Sequence, residues 1–268
     1  MTEIADRQAD RVARSFAPQA DKYVTSLVHA QGPDLDQLAA CLAARRPARV
    51  LDIGTGGGHA AYVAAAHAGH VTATDLLAEM LAAVTAEAAR RGITNLATIQ
   101  SPAEKLPLPD ADFDAVITRF SAHHWTDLQA GLREAGRVCR PGGIGVFLDA
   151  ASPLGVPSSA AGTLGTAAMD SFLQAIELLR DPSHARDYCE AEWRAGLTAA
   201  GFAVTAVTWR QLRMDFPVWT ARMGTPELQQ RAIRALQDSV SAPVRAHFAL
   251  EPDGSFMLDT IVIEAIRE

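Results

Sequence analysis

Three groups of residues in this chain have the types and spacing to do chemistry. The first is a glycine-rich turn, Val50-Leu51-Asp52-Ile53-Gly54-Thr55-Gly56-Gly57-Gly58. Glycines between a strand and a helix let a ligand approach backbone N–H groups closely. A dinucleotide fingerprint of the G-x-G-x-x-G kind would place glycine at position 59, which is His59 here. Asp52, just ahead of the first glycine, has little use beside a pyrophosphate and suits a ligand carrying an ammonium group. The second candidate is Asp75, which closes the next apolar run with two acceptor oxygens for ribose hydroxyls. NAD enzymes use an acid in the same way, and the alternative role for Asp75 is a helix N-cap alone. The third is the pair His123-His124. A neutral imidazole can remove a proton from a substrate near neutral pH. The plainer alternative packs one ring in its loop and hydrogen-bonds the other to backbone. Neighbouring residues rarely point the same way and no third ligand is evident, so no metal site is expected.

The surrounding elements would carry these groups to one side of a sheet. Apolar runs at 48–53, 70–75, 97–100, 113–118 and 144–149 read as strands. Helical segments are expected at 4–30, 35–45 (capped by Asp34), 60–68, 77–91 and 128–139, the last stopped by Arg140-Pro141-Gly142-Gly143. Strands alternating with helices mean a parallel sheet covered on both faces. In such sheets ligands lie beyond the C-terminal strand ends, which is where all three groups fall. Beyond 151, the stretch 152–165 reads as a loop, 167–179 and 191–200 as helices, 202–209 as a strand reaching towards 214, 217–248 as helical, and 255–263 as a last strand. The final strands would form an antiparallel edge.

Composition narrows the function classes. The 268 residues are 49% hydrophobic, enough for a large core. The net charge of −7, with no basic run longer than Arg45-Arg46 or Arg90-Arg91, argues against a nucleic-acid surface. Cys41, Cys139 and Cys189 are widely spaced and read as reduced thiols of a cytoplasmic protein. No 18-residue apolar stretch is present, so no membrane span is expected, and the polar first ten residues do not read as a signal peptide.

The turn at 50–58 resembles the first motif of the class I S-adenosylmethionine-dependent methyltransferases, hydrophobic-Leu-Asp-x-Gly-x-Gly-x-Gly. Asp75-Leu76-Leu77-Ala78-Glu79-Met80-Leu81 is similar to the family's Asp-x-Ser-x-x-Met-Leu, and Ser101-Pro102-Ala103-Glu104-Lys105-Leu106-Pro107 to its Gly-Asp-Ala-Glu-x-Leu-Pro, with Pro102 where an acid is usual. The run 132–143 matches the helix and turn before the fifth strand. The resemblance covers residues 48–150. It implies a Rossmann-like methyltransferase fold: doubly wound α/β, a mostly parallel seven-stranded sheet with an antiparallel edge strand. It also implies S-adenosylmethionine as cofactor. Gly54, Thr55 and Gly56 would line it, Asp52 would orient the loop or the ammonium, Asp75 would take the ribose, Leu76 and the Ala103 backbone would meet the adenine, and Glu104 and Arg119 complete the set.

Arg119-Phe120-Ser121-Ala122-His123-His124-Trp125 further resembles the ubiquinone and menaquinone C-methylating type and its relatives, as does Arg180-Asp181-Pro182-Ser183-His184-Ala185-Arg186 followed by Glu192-Trp193. Phe16, Ala20 and Tyr23 match the family's lid, which would bring Tyr23 and His29 towards the methyl group. The chain is thus read as one domain over 1–268, with a lid at 1–32, a cofactor-binding core at 33–150, and substrate-side helical insertions at 151–200 and 210–254. The expected activity is methyl transfer to C, O or N of a small molecule, with His123, His124 and Tyr23 as catalytic candidates. His184 and Arg186 would bind a polar acceptor or fix their loop. Trp209, Phe216, Trp219 and Met223 would pack in the core or form an apolar wall or homodimer surface. The rival readings are an NAD-dependent oxidoreductase and a non-catalytic cofactor-binding regulator.

Overall fold

The computed structural model describes residues 2–17, 31–155 and 162–268, with side chains described from residue 7 and, in the helix starting at Gly162, from Thr166. Ala20, Tyr23 and His29 of the expected lid lie outside the described residues. The strands are β1 (Arg49–Ile53), β2 (His70–Asp75), β3 (Leu96–Gln100), β4 (Phe113–Arg119), β5 (Cys139–Ala150), β6 (Phe202–Met214) and β7 (Phe256–Arg267). They form one seven-stranded sheet in the order β3-β2-β1-β4-β5-β7-β6. Pairings from β3 across to β5 are parallel, while β7 runs antiparallel to both β5 and β6. The antiparallel pairing therefore lies at the expected edge, with β7 its inner strand and β6 outermost.

Ten α-helices are present among the described residues: α1 (Thr2–Phe16), α2 (Pro33–Arg45), α3 (His59–Ala65), α4 (Ala78–Arg90), α5 (Leu128–Val138), α6 (Gly162–Arg180), α7 (Glu190–Ala199), α8 (Phe216–Met223), α9 (Glu227–Ser239) and α10 (Ala242–His247). The central strands are buried on both faces, which is why they read as continuous apolar runs. On one face Leu35, Leu38 and Leu42 of α2 and Ala60, Ala61 and Ala64 of α3 pack on Val50, Val71 and Ile117. On the other, Leu128, Leu132 and Ala135 of α5 and Trp193 and Leu197 of α7 pack on Leu51, Val116 and Phe147. A third core joins α6, α8, α9 and α10 through Leu173, Ile176, Trp219, Ile233 and Val244.

Several boundaries differ from the sequence pattern, each for a local reason. Asp34 does not cap α2: Gly32 holds the N-cap position with no side-chain cap bond, Pro33 opens the helix, and Asp34 pairs with Arg119 across the sheet instead. The Arg140–Gly143 turn is absorbed into β5 as an irregularity, Phe113 pairing with Cys139 and Ala115 with Ile144. The 217–248 stretch divides into three helices, interrupted by Gly224 and Pro226 and again at Ser241. Phe216 and Trp219 are core residues, and the Trp209 indole donates to Glu190. Asp75 is not the N-cap of α4, a position held by Leu77.

Gly136 explains the glycine in α5. A Cβ there would stand 2.2 Å from the carbonyl oxygen of Ala200, where α7 ends. Alanine is favoured over glycine in a helix by about 1 kcal/mol, but here rigid backbone would have to move, at about 1–3 kcal/mol. Gly136→Ala is therefore expected to lower the urea midpoint with the m-value unchanged. An unchanged midpoint would show that α5 and α7 separate without cost.

Candidate active site

The glycine turn is shaped by two close approaches. Gly54 has φ 67°, and a Cβ on it would lie 1.8 Å from Ser121 Oγ, so the turn after β1 and the loop after β4 can touch only because this residue has no side chain. Gly56 has φ 51°, and a Cβ there would meet nothing within 4 Å, because it would project into open space. That space is a cavity of about 180 Å³ lined from four adjacent strand ends: Gly54, Thr55 and Gly56 after β1, Asp75 and Leu76 after β2, Ser101 to Glu104 after β3, and Arg119 to Ser121 after β4. Gln8, Val12 and Phe16 of α1 also line it. Crevices at the C-terminal ends of parallel strands are the usual ligand sites of such sheets.

The acids hold this turn in place. Asp75 Oδ2 accepts from the Gly56 amide at 2.9 Å and Oδ1 from the Leu77 amide at 3.0 Å, fastening the turn to the start of α4. Burial pushes its carboxyl above the usual range against those two hydrogen bonds. Asp52 is fully buried, and its Oδ2 accepts from the Thr55 hydroxyl at 2.6 Å, while Oδ1 meets no donor among the described residues. Burial raises its pKa to about 7, opposed by the Thr55 hydrogen bond. A buried carboxylate oxygen without a donor, lining the cavity, fits an ammonium-bearing ligand. The Glu104 carboxylate is turned away to the Thr126 amide at 2.7 Å and the Asp127 amide at 3.3 Å, tying the third loop to the fourth. Arg119 is paired with Asp34 at 2.5 Å and lies over the Phe120 ring. Leu76 packs beside Phe16, Leu77 and Met80.

The two histidines sit in a short 3₁₀ turn, Ala122–His124, and have opposite environments. His123 Nδ1 is 2.5 Å from Asp149 Oδ1 at the end of β5, and its amide donates to Oδ2. Burial lowers its pKa, but the Asp149 charge and hydrogen bond, with the charges of Asp187 and Glu177, outweigh it and hold it at about 9. Burial and the neighbouring His123 charge instead lower His124 to about 4. His124 Nδ1 lies 3.2 Å from the Ser183 carbonyl, which can only accept, so Nδ1 carries the proton and Nε2 keeps its lone pair. The rings stand 4.1 Å apart. Environments that split two like groups in this way can fit one as an acid and the other as a base.

Helix α1 clasps this turn. Gln8 Nε2 donates to the carbonyls of His124 and Ser183, Ser15 donates to Asp181, and Phe16 meets the His124 ring edge-on. His184 and Arg186 line neither this cavity nor the smaller one beside it. His184 hydrogen-bonds Gln174 and Arg186 pairs with Glu192, so both fix the 181–190 segment. Sequence reasoning missed Asp149, Asp187 and Gln8. Asp149 had a visible signal, an acid ending a strand as Asp75 does; the other two had none, because Gln8 meets His124 and Ser183 only across the fold and Asp187 is buried without a hydrogen-bond partner among the described residues. Among the described residues no group of three or more His, Cys, Asp or Glu has a metal-binding arrangement, and no helix is long and apolar enough to cross a membrane.

Comparison with known proteins agrees with this geometry. A family model described as a methyltransferase domain matches residues 51–147. The chain is 41% identical to the uncharacterized protein YafE of Escherichia coli K12 over 78% of its own length and 95% of the relative's. It is 30% identical to the uncharacterized methyltransferase YcgJ of Bacillus subtilis 168, covering 94% of this chain and 97% of that one. The YcgJ crystal structure superposes with a TM-score of 0.79 over 88% of this chain and 98% of that chain. Geranyl diphosphate methyltransferase, solved in complex with SAM, shares the fold at 19% identity, with a TM-score of 0.54 over 94% of this chain and 85% of that chain. The chain belongs to the class I S-adenosylmethionine-dependent methyltransferases and is an enzyme, which displaces both the oxidoreductase and the non-catalytic readings.

Two predictions follow from the turn and the histidines. Gly56→Ala adds a methyl in the cavity and about 1–2 kcal/mol of left-handed strain; calorimetry should show affinity for S-adenosylhomocysteine falling about tenfold or more while the protein stays folded. The second concerns pH. His124 has a folded pKa of about 4 against the ordinary 6.5 of a free imidazole, so the unfolded chain takes up its proton first and stability falls as pH drops from 6.5 to 4. For His123 the folded value of about 9 exceeds 6.5, so its contribution is complete below 6.5 and is lost as pH rises to 9. Each slope is about 1.4 kcal/mol per pH unit. Denaturation across this range should show His124→Gln flattening the acid limb and Asp149→Asn the alkaline one.

Proposed function

We propose that this enzyme transfers a methyl group to a C, O or N atom of a small molecule by in-line displacement. His124 takes the proton where the acceptor atom carries one. The observation that carries this reading is the neutral His124 ring, which lines both the large cavity and the smaller one beside it, together with Phe16 and Phe120.

When bound, S-adenosylmethionine supplies a methyl carbon already activated by its sulfonium. Asp52, Gly54, Thr55 and Gly56 would hold its methionine part, Asp75 its ribose, and Leu76 and Ala103 its adenine. Glu104 and Arg119 act one step behind, by fixing the loops that surround it. Because the carbon is already activated, alignment and exclusion of water supply much of the rate. Phe16 and Phe120 close the wall between the cavities, and α1 is latched over His124. His123, held as a cation by Asp149, keeps His124 neutral and so available as an acceptor. Tyr23, beyond the described residues, is the remaining catalytic candidate. The net charge of −7 supports a small-molecule acceptor over a nucleic acid, and the whole chain is read as one cytoplasmic methyltransferase unit.

Incubation of the enzyme with methyl-labelled cofactor and a metabolite extract, followed by mass spectrometry, should reveal a labelled small product. With that acceptor in hand, His124→Ala is expected to lower kcat by about 10²-fold or more while S-adenosylhomocysteine affinity stays within about twofold. Turnover unaffected by alanine at both 123 and 124 would remove the histidines from the mechanism.

A further inference from the structure

Ser183 meets His124 twice. Its carbonyl oxygen lies 3.2 Å from Nδ1 and its hydroxyl oxygen 3.3 Å. The carbonyl can only accept, but a hydroxyl can accept or donate. A hydroxyl donating to Nδ1 would put the ring proton on Nε2, the tautomer with no lone pair left there to take a proton. The direction of the Ser183 hydroxyl therefore bears on His124. Asp181 decides that direction. Its Oδ1 accepts from the Ser183 hydroxyl at 2.7 Å, the Ser183 amide at 2.8 Å and the Ser15 hydroxyl at 2.9 Å. Asp181 is 1% exposed and Ser183 is fully buried. Burial opposes ionisation of Asp181, but His124 and the hydrogen bonds from Ser183 and Ser15 hold its carboxyl below the usual range. An ionised carboxylate has no proton to give. The Ser183 hydroxyl must then point its proton at Asp181 and turn a lone pair to Nδ1.

The bond from the Ser183 amide back to Asp181 is a local turn that would fix the loop without touching His124. The hydroxyl is what carries the effect to the ring. Helix α1 braces the same arrangement, through Ser15 on Asp181 and through Gln8, whose Nε2 donates to the Ser183 carbonyl at 2.6 Å and the His124 carbonyl at 3.1 Å. Resting on the reading of His124 as the proton acceptor, we propose that Asp181 is a positioning residue, which acts through the Ser183 hydroxyl to keep the His124 proton on Nδ1 and the Nε2 lone pair open to the methyl acceptor. In the reaction the acceptor's proton passes to Nε2, the electron pair left on the acceptor atom forms the bond to the methyl carbon, and the carbon–sulfur pair stays on sulfur. His124 is then a cation. The Asp181 charge favours that cation while the His123 charge opposes it.

The test is nitrogen-15 NMR of the imidazoles at neutral pH, on full-length protein labelled in histidine and saturated with S-adenosylhomocysteine. Wild-type His124 should carry its proton on Nδ1. Ser183→Ala should keep that tautomer and move the Nδ1–H proton resonance, because one acceptor is lost. Asp181→Ala frees the hydroxyl to donate and should raise the ratio of Nε2–H to Nδ1–H at His124 about tenfold, the value of one hydrogen bond. The double variant, with no hydroxyl left to reverse, should return to Nδ1–H. With the acceptor identified, Asp181→Ala should lower kcat about tenfold or more at unchanged KM. A wild-type proton on Nε2, or an unmoved Nδ1–H resonance in Ser183→Ala, overturns the proposal whether or not the Asp181 variants fold. A double variant no closer to wild type than Asp181→Ala also overturns it, since Asp181 would then only hold the loop. Full turnover by His124→Ala would instead overturn the base reading on which the proposal rests, and leaves the tautomer results as they stand.

Discussion

The proposed mechanism depends on one ion pair, between His123 and Asp149. It joins the turn after β4 to the end of β5, and it places a positive charge on the wall of the smaller cavity. That charge does more than hold the turn. It makes a second proton on His124, whose ring is 4.1 Å away, unfavourable. With its Nδ1 proton given to the Ser183 carbonyl, His124 is left with a free lone pair. Without Asp149, burial would drive both imidazoles neutral, and the distinction between donor and acceptor would be lost.

Around that pair the backbone is held in conformations that cost energy and are repaid by contacts. Phe120 adopts φ 50°, uncommon for an aromatic residue, between the Arg119–Asp34 pair and the Gly54–Ser121 approach. Such strain, about 1–3 kcal/mol, persists where the surroundings over-determine it and gathers at functional sites. Here it turns Phe120 to line both cavities. The Trp125 indole donates to Ser121 and its ring fills the space left by Gly131 on α5, so the loop is braced from behind by the helix core. Helix α1 adds the cover. Its grip on the 181–184 segment is polar, through Gln8 and Ser15, and its seat on Leu77 and Met80 is apolar.

Much of this was legible in the chain. The parallel core showed itself because strands buried on both faces must be apolar throughout, and helices between them must be apolar on one side. The turn at 54–58 and the acid at 75 were legible because close backbone approach needs glycine and because β2 places its last residue at the sheet edge. Boundaries were less legible. Asp34 looked like a cap because capping depends on the residue and its neighbours, whereas its actual partner, Arg119, is 85 residues away. His184 and Arg186 looked like pocket residues, but their segment folds back so that Gln174 and Glu192 take them.

What the sequence determined by itself was the order of elements, the glycine turn and the acids beside it, since these follow from local spacing and from the period of apolar residues. What only the tertiary structure decided was the state of each titratable group. His123 and His124 are adjacent and chemically identical in the chain, yet one is held as a cation and the other as a neutral base. Asp187 looks like any surface acid until folding buries it without donors. Protonation is set by burial, by charges and by hydrogen bonds, and in this protein those arrive from β5, α6 and the 181–187 segment, all distant from the histidines in sequence.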